Sequence, residues 1–191
     1  VQQYLRPDGK KWLGLGLGAA GSMIVYRESM VKAAGFNAFP KDTAGFLALH
    51  KALKEKGTPG GYALGNATGD SLWTNWLMWS HGGKLVDKSN KVVIDSPETL
   101  KALEYGKELY PNFIAGTLSW LDPNNNKAFL DGQIAVTNNG ISIYYAAKNS
   151  QDPKVKEMAA DINHAAFPVG PVGTPTESHL FFNQMIFKYT K

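Results

Sequence analysis

Two short stretches hold the side chains best suited to gripping a polar molecule. In the first, Asn66 and Asp70 lie among Gly65, Thr68 and Gly69, and Trp73 follows within one helical turn. A carboxylate and an amide hydrogen-bond ring hydroxyls, while an aromatic face packs against C–H surfaces. Core packing is the competing role for Trp73, and the residues alone leave the two open. Trp76 and Trp79 are expected in the core. In the second stretch, Asn138-Asn139-Gly140 ends an expected strand and precedes a helix carrying Tyr144 and Tyr145. Open α/β folds gather ligands at the carboxyl ends of strands, and the next helix offers free backbone N–H groups there. A plain Asn-Gly turn needs no ligand, so this stretch also has two readings.

Other patterns fail on their chemistry. Gly16-Leu17-Gly18-Ala19-Ala20-Gly21 matches G-x-G-x-x-G. That fingerprint needs a helix opening at it and an acid about 20 residues on. Here the following segment reads as a strand and the later region as a loop around Pro40. A glycine-rich crossing, where chain passes close beside chain or ligand, is the better expectation. Asp122-Pro123-Asn124-Asn125-Asn126 lacks the Gly and Glu of a calcium loop, having Lys127 and Gln133 at those places, so its Asn residues are expected to cap a helix. No two of His50, His81, His164 and His179 stand at metal-ligand spacing. There is no G-x-S-x-G elbow and no clustered acid/base set. No enzymatic activity, metal or cofactor is expected; a carbohydrate-active or other hydrolytic enzyme domain and a protein-interaction module are the alternative readings.

The positioning elements follow from periodicity and caps. Strands are expected at Ser22 to Tyr26, Tyr62 to Leu64, Ile134 to Val136, His164 to Phe167, Leu180 to Phe182 and Met185 to Phe187. Leu85-Val86 and Val92 to Ile94 flank a hairpin turn. Helices are expected from Ser29 to Ala34, from Asp42 or Thr43 to Lys56, from Asp70 or Ser71 to His81, and from Ser96-Pro97-Glu98 to Tyr110. Further ones run from Asn124 to Leu130, Ser142 to Lys148 and Asp152 to Asp161. The Ser96 helix is expected to bury Ala102, Leu103, Gly106 and Leu109. Short strands alternating with helices indicate an α/β domain.

Composition narrows the classes. The 191 residues are 43% hydrophobic and 19% charged, with no cysteine. That excludes disulfide scaffolds, thiolate metal sites and cysteine nucleophiles, and argues against disorder. No apolar run reaches the ~18 residues of a membrane helix. The net charge is +4, but only Arg6 and Arg27 are arginines. Base readout favours Arg, and the lysines mostly accompany acids on expected helix faces, so no nucleic-acid partner is expected. The chain starts without Met and stops just after an apolar stretch, which suggests a piece of a longer chain.

An ordered set of motifs adds a resemblance. Asp8-Gly9-Lys10-Lys11-Trp12 through Gly18 is similar to D-G-K-W-Y-G-x-P. Met23 to Phe36 is similar to a strand and a K-A-G-[LF] helix, and Pro40-Lys41-Asp42-Thr43 with Phe46 to P-x-T-W-x-E-F. Ser80-His81-Gly82-Gly83-Lys84-Leu85 is similar to S-x-G-G-x-L, and Ile94-Asp95-Ser96-Pro97-Glu98 to I-D-S-P-E. Phe129 to Ala135 is similar to F-x-x-G-K-A-A, and Phe167 to Gly173 to P-x-P-x-G-P-x-G. Together, over nearly the whole chain, they resemble the extracellular solute-binding proteins of ABC importers, family 1 sugar-binding group, which includes maltodextrin-binding proteins. The chain departs from the family at Arg27, often Asn, and at Ala44-Gly45, often Trp followed by an acid. It also departs after Gly140, where Ile141-Ser142-Ile143 replaces a common aromatic; Tyr144 or Tyr145 are the available substitutes.

The resemblance implies one lobe of a two-lobed periplasmic-binding-protein fold, with a central mixed β-sheet flanked by helices. Residues 1–21 would be an inter-lobe crossing, 22–173 the second lobe and 174–191 the return crossing. Most of the first lobe and the C-terminal helices would lie outside this chain. The ligand residues it implies are Asp70, Trp73, Asn138, Asn139 and Tyr144, with His179 near the return crossing; Asn66 joins them from the residue reading alone, and hinge rotation is expected at Gly16, Gly18, Gly21 and Thr174. The implied partners are a sugar-like small-molecule solute and the transmembrane subunits of an ABC permease. The implied setting is periplasmic or extracytoplasmic, and the implied state a monomer.

Overall fold

The computed structural model describes residues 5–6, 8–65, 73–185, 187 and 189. Among them lie strands β1 (Leu15–Gly21), β2 (Met23–Arg27), β3 (Val136–Asn139), β4 (Ile162–Ala165) and β5 (His179–Gln184). The helices are α1 (Glu28–Ala33), α2 (Thr43–Glu55), α3 (Trp73–Ser80), α4 (Pro97–Leu109), α5 (Asn124–Leu130), α6 (Ser142–Lys148) and α7 (Pro153–Met158).

Local chemistry sets most helix ends. The Asp42 carboxylate accepts from the Gly45 amide and opens α2, and the Ser96 hydroxyl accepts from the Thr99 amide ahead of Pro97 in α4. Gly57 follows α2 at φ +75, a backbone state that side chains resist. The start expected at Asp70 or Ser71 lies outside the described residues; α3 is described from Trp73.

The central sheet has the order β3-β2-β4, with both pairings antiparallel. An isolated parallel bridge, Gly60↔Val136, adds a parallel contact on the edge strand β3, and a second, Asp42↔Val169, lies beyond the end of β4. Alternation along β2 divides the core. Ile24 and Tyr26 pack with Phe46, Leu49, Trp76 and Leu109 from α2, α3 and α4. Val25 packs with Phe129, Ile134 and Ile143 around α5 and α6. Helices therefore cover both faces, as the α/β reading expected. Trp76 is fully buried in the core and donates its indole N–H to the Pro168 carbonyl at 2.8 Å. Trp79 is only half-buried.

β1 and β5 form a separate antiparallel ribbon, from Leu15↔Gln184 to Gly21↔His179. The Ser22 amide extends it by donating to the Ser178 carbonyl at 3.2 Å. The G-x-G-x-x-G segment is thus strand throughout, and no helix opens at it.

Several expectations need correction. Tyr62 to Leu64 is not a strand: Gly61 bonds Val136, but Leu64 already turns to Thr117. The hairpin between Leu85 and Ile94 is reduced to one bridge, Val86↔Val92, because the Asp87 carboxylate takes the Ser89 and Lys91 amides and tightens the turn. β4 starts two residues before His164, where the chain first meets Arg27 of β2. The last strand expected, Met185 to Phe187, does not form at Met185, since β5 ends at Gln184; Ile186 lies outside the described residues. Leu103 is 62% exposed; it lines an open apolar groove of about 580 Å³ between α3 and α4. Asn125 does not cap α5. Its buried amide reaches across to the Thr137 hydroxyl and the Asn138 carbonyl.

Candidate functional site

The ribbon meets the lobe where the strands of the central sheet end. Met23 opens β2 opposite Asn139, the last residue of β3, and Ala165 closes β4 opposite Ile24. The carboxyl ends of β3 and β4 therefore lie on the same edge, on either side of the entry through Gly21 and Ser22. A Cβ on Gly140 would stand 3.4 Å from the Gly21 carbonyl oxygen, so the chain segments touch here.

Two cavities flank that entry and share Gly21 and Ser22. One, about 250 Å³, is bounded by Asn139, Ser142, Ser178 and Asp122. The other, about 310 Å³, is bounded by His164, Phe167, Glu177 and His179.

Asn139 organises the first cavity. Its Oδ1 accepts from the Gly140 amide at 2.6 Å and the Ser142 hydroxyl at 3.1 Å, and its Nδ2 donates to Asn126 Oδ1. These bonds fix the strand-to-helix turn into α6. Asn138 points the other way, as strand alternation requires. It is 1% exposed, with its carbonyl accepting from Asn125. The solute contact expected for Asn138 is not available to a side chain placed inside the lobe.

Trp73 is corrected in the same sense. It is 3% exposed, packs against Tyr62 and Phe113 at ring distances of 5.1 and 5.9 Å, and donates its indole N–H to the Ala63 carbonyl at 2.9 Å. Its polar handle and two ring contacts are used within the core, and its remaining edge borders the apolar groove between α3 and α4, so core packing is the role these contacts support. Asn66 and Asp70 lie outside the described residues. Tyr144 borders neither cavity; it stands half-buried beside Tyr145 and His164, with the Lys148 ammonium 5.5 Å from its ring centre.

On the ribbon side, His179 faces Gly21, and its ring would lie 3.3 Å from a Cβ there. Its Nε2 contacts the Glu177 carboxylate at 3.0 Å in an exposed pair. Gly16 and Gly18 lie in β1, and nothing stands near the missing Cβ of Gly18. Thr174 is exposed and borders neither cavity. His164, which the sequence reading did not select, lines the second cavity. Burial pushes its imidazole pKa down, and among the described residues its shielded Nε2 has no hydrogen-bond partner. The β4–β2 pairing brings it to the entry; in sequence it is one of two adjacent polar residues, Asn163 and His164, with nothing to mark which faces a cavity.

Arg27, a departure from the resemblance, has a structural task. Its Nε donates to Asp161 at 2.6 Å, and the Ser29 amide and hydroxyl donate to the same carboxylate. Burial alone raises the Asp161 pKa, but the bonds from Ser29 and Arg27 outweigh it and hold the group below its ordinary value. This clamp ties β2 and α1 to the turn before β4.

The walls of both cavities thus offer hydroxyl, amide, imidazole and carboxylate groups. Among the described residues, no group of three His, Cys, Asp or Glu side chains could hold a metal ion. The edge is equipped to hydrogen-bond a polar molecule.

Comparison with known proteins agrees with this architecture. The family described as bacterial extracellular solute-binding protein matches residues 2–184. A probable ABC transporter-binding protein of Deinococcus radiodurans is 26% identical over 162 residues, which span 80% of this chain and 38% of that protein. A putative ABC transporter periplasmic-binding protein of Escherichia coli is 24% identical over 151 residues, 77% of this chain and 34% of that one. Maltose-bound MalE3 of T. maritima superposes with a TM-score of 0.78 at 20% identity, over 100% of this chain and 52% of that chain. A sugar transporter protein of Arthrobacter chlorophenolicus with bound laminaribiose gives 0.76 at 21% identity, over 99% and 51%. The chain therefore spans less than two fifths of these sequence relatives and about half of these solved chains.

Proposed function

Because the chain belongs to the bacterial extracellular solute-binding protein family, we propose that it forms the second lobe of a two-lobed protein that captures a carbohydrate or polyol and delivers it to an ABC permease. In this reading residues 22–173 are the lobe, and 1–21 and 174–191 are crossings to the first lobe. The protein works as a monomer in the periplasm or another extracytoplasmic space. Solute binding and release, with no chemistry on the solute, is its whole task.

One observation carries the proposal: the β1–β5 ribbon leaves the lobe at the edge where β3 and β4 end, so both cavities open beside the crossing. A solute held there would touch lobe and crossing together. Its binding energy would then favour the closed arrangement, with rotation absorbed near Gly16, Gly18, Gly21 and Thr174. The hydroxyl and amide lining supports a hydroxyl-rich solute, as do similar folds solved with maltose, laminaribiose and D-mannitol. Asn139 shapes the subsite on the lobe, His179 stands on the ribbon, and Tyr144 supports from behind. Asn66 and Asp70 are proposed as further contacts. Trp73 acts only by holding α3 in place.

A thermal-shift screen of maltose, laminaribiose and mannitol on the full-length protein tests this, since a ligand of the native state raises its midpoint. One or more should do so in a concentration-dependent way. Asn139→Ala should weaken binding at least about tenfold by freeing the turn and removing a polar group. Trp73→Phe should change it less than about threefold, because a core swap leaves the cavity walls in place. No shift with any sugar or polyol would sink the proposal.

A further inference from the structure

We propose that Ser22 and Ser178, which stand where the two crossing segments join the lobe, are solute-contacting residues that recognise alcohol hydroxyls. This rests on the reading of the cavity beside Asn139 as a solute subsite. Ser22 links β1 to β2, and Ser178 immediately precedes β5. The Ser22 amide donates to the Ser178 carbonyl at 3.2 Å, so one backbone bond holds the two residues side by side. Both line the cavity of about 250 Å³, as do Asn139 and Ser142 of the lobe. Both are half-buried, and among the described residues neither hydroxyl has a hydrogen-bond partner. Folding alone gives no reason for a hydroxyl at either position, since neither stabilises a neighbour.

The lobe side of the cavity restricts what binds there. The Ser142 hydroxyl proton is committed to Asn139 Oδ1 at 3.1 Å, so its oxygen offers lone pairs only. Asn139 Oδ1 takes that proton and the Gly140 amide, and one Nδ2 proton goes to Asn126. Asn139 therefore has its second Nδ2 proton left to give. The hydroxyls of Ser22 and Ser178 rotate, and each donates or accepts as the guest requires. An alcohol hydroxyl also does both, so a run of adjacent hydroxyls matches all four residues. An ether or carbonyl oxygen only accepts, and it leaves the Ser142 lone pairs without a proton. A site built to bond a hydroxyl penalises the analogue that lacks it. A solute bonded here is tied to both crossings and to the lobe at once, so its capture favours one arrangement of the crossings.

The experiment uses the full-length protein, with mannitol, maltose and laminaribiose titrated by calorimetry. Ser22→Ala and Ser178→Ala should each weaken the tightest-bound of the three by about three- to tenfold. Their solute-free melting midpoints should stay unchanged, because neither hydroxyl bonds within the fold. The monodeoxy forms of the same probe then locate the contact. The hydroxyl whose deletion costs the wild type most should cost at least one of the two variants about threefold less, since its partner is already gone. Weakening below about threefold in either variant overturns the inference while solute capture stands. So does a loss of affinity matched by a fallen midpoint, which marks a structural role, or a deoxy penalty that is undiminished in both variants. Wild-type protein that binds none of the three probes overturns solute capture at this cavity, and the inference with it.

Discussion

The Tyr62 hydroxyl donates to Nε2 of His50 at 3.0 Å, inside a core where His50 is fully buried and Tyr62 nearly so. The other ring nitrogen of His50 donates to the Phe46 carbonyl at 2.9 Å. This pairing fits one neutral tautomer, Nδ1–H with Nε2 as acceptor. A Cβ on Gly60 would fall 2.6 Å from Nε2, which shows how tightly the ring is enclosed.

An acid-sensitive stability follows. Burial pushes the His50 pKa from 6.5 down to about 4, opposed only in part by the bond to Phe46. The unfolded chain binds a proton near 6.5 while the folded chain does not, so its stabilising effect is complete above 6.5. It is lost as pH falls from 6.5 to about 4 and changes no further below that. The full loss is about 3 kcal/mol. Urea midpoints of the 191-residue chain should fall over this window. His50→Phe should flatten that part of the profile while lowering stability at neutral pH, because Tyr62 loses its acceptor. Adding Tyr62→Phe should recover part of the loss. A wild-type profile flat from 6.5 to 4 would refute the assignment.

Asn125 holds the floor beneath the candidate site. It is fully buried and donates to the Thr137 hydroxyl at 3.2 Å and the Asn138 carbonyl at 2.9 Å. Asn125→Ala should cost about 1–3 kcal/mol, since it leaves buried polar groups on β3 unmatched. Asn125→Asp should cost more, because a carboxylate cannot donate to the Asn138 carbonyl and a charge would be buried. Chemical denaturation measures both; an Asp variant as stable as the Ala variant would contradict this role.

Gly170 and Gly173 separate two reasons for glycine in one loop. A Cβ on Gly170 would stand 2.2 Å from the Ser80 carbonyl oxygen, a backbone atom that cannot step aside cheaply. Gly173 has φ +74 but open space around it. Gly170→Ala should therefore cost about 3 kcal/mol or more through a forced backbone shift, and Gly173→Ala only about 1 kcal/mol of conformational strain. Equal melting midpoints for the two variants would disprove the distinction.

Much of this protein is legible without its fold. The caps at Asp42 and Ser96, the stop at Gly57 and the apolar spacing of Phe46, Leu49 and Leu53 are local chemistry, readable within one or two turns of chain. The order of motifs from Asp8 to Gly173 was enough to indicate the family. The orientation of the candidate site residues was not readable in this way. Trp73 is buried because Tyr62 and Phe113 close over it. Asn138 turns inward and Asn139 outward because β3 pairs with β2 in one register. His164 reaches the entry through its pairing with Val25. Each depends on partners far away in sequence, and a side chain's own type records nothing about which neighbour will cover it. The sequence determined the elements and the kinship; the tertiary packing decided which polar groups face the cavities and which serve the core.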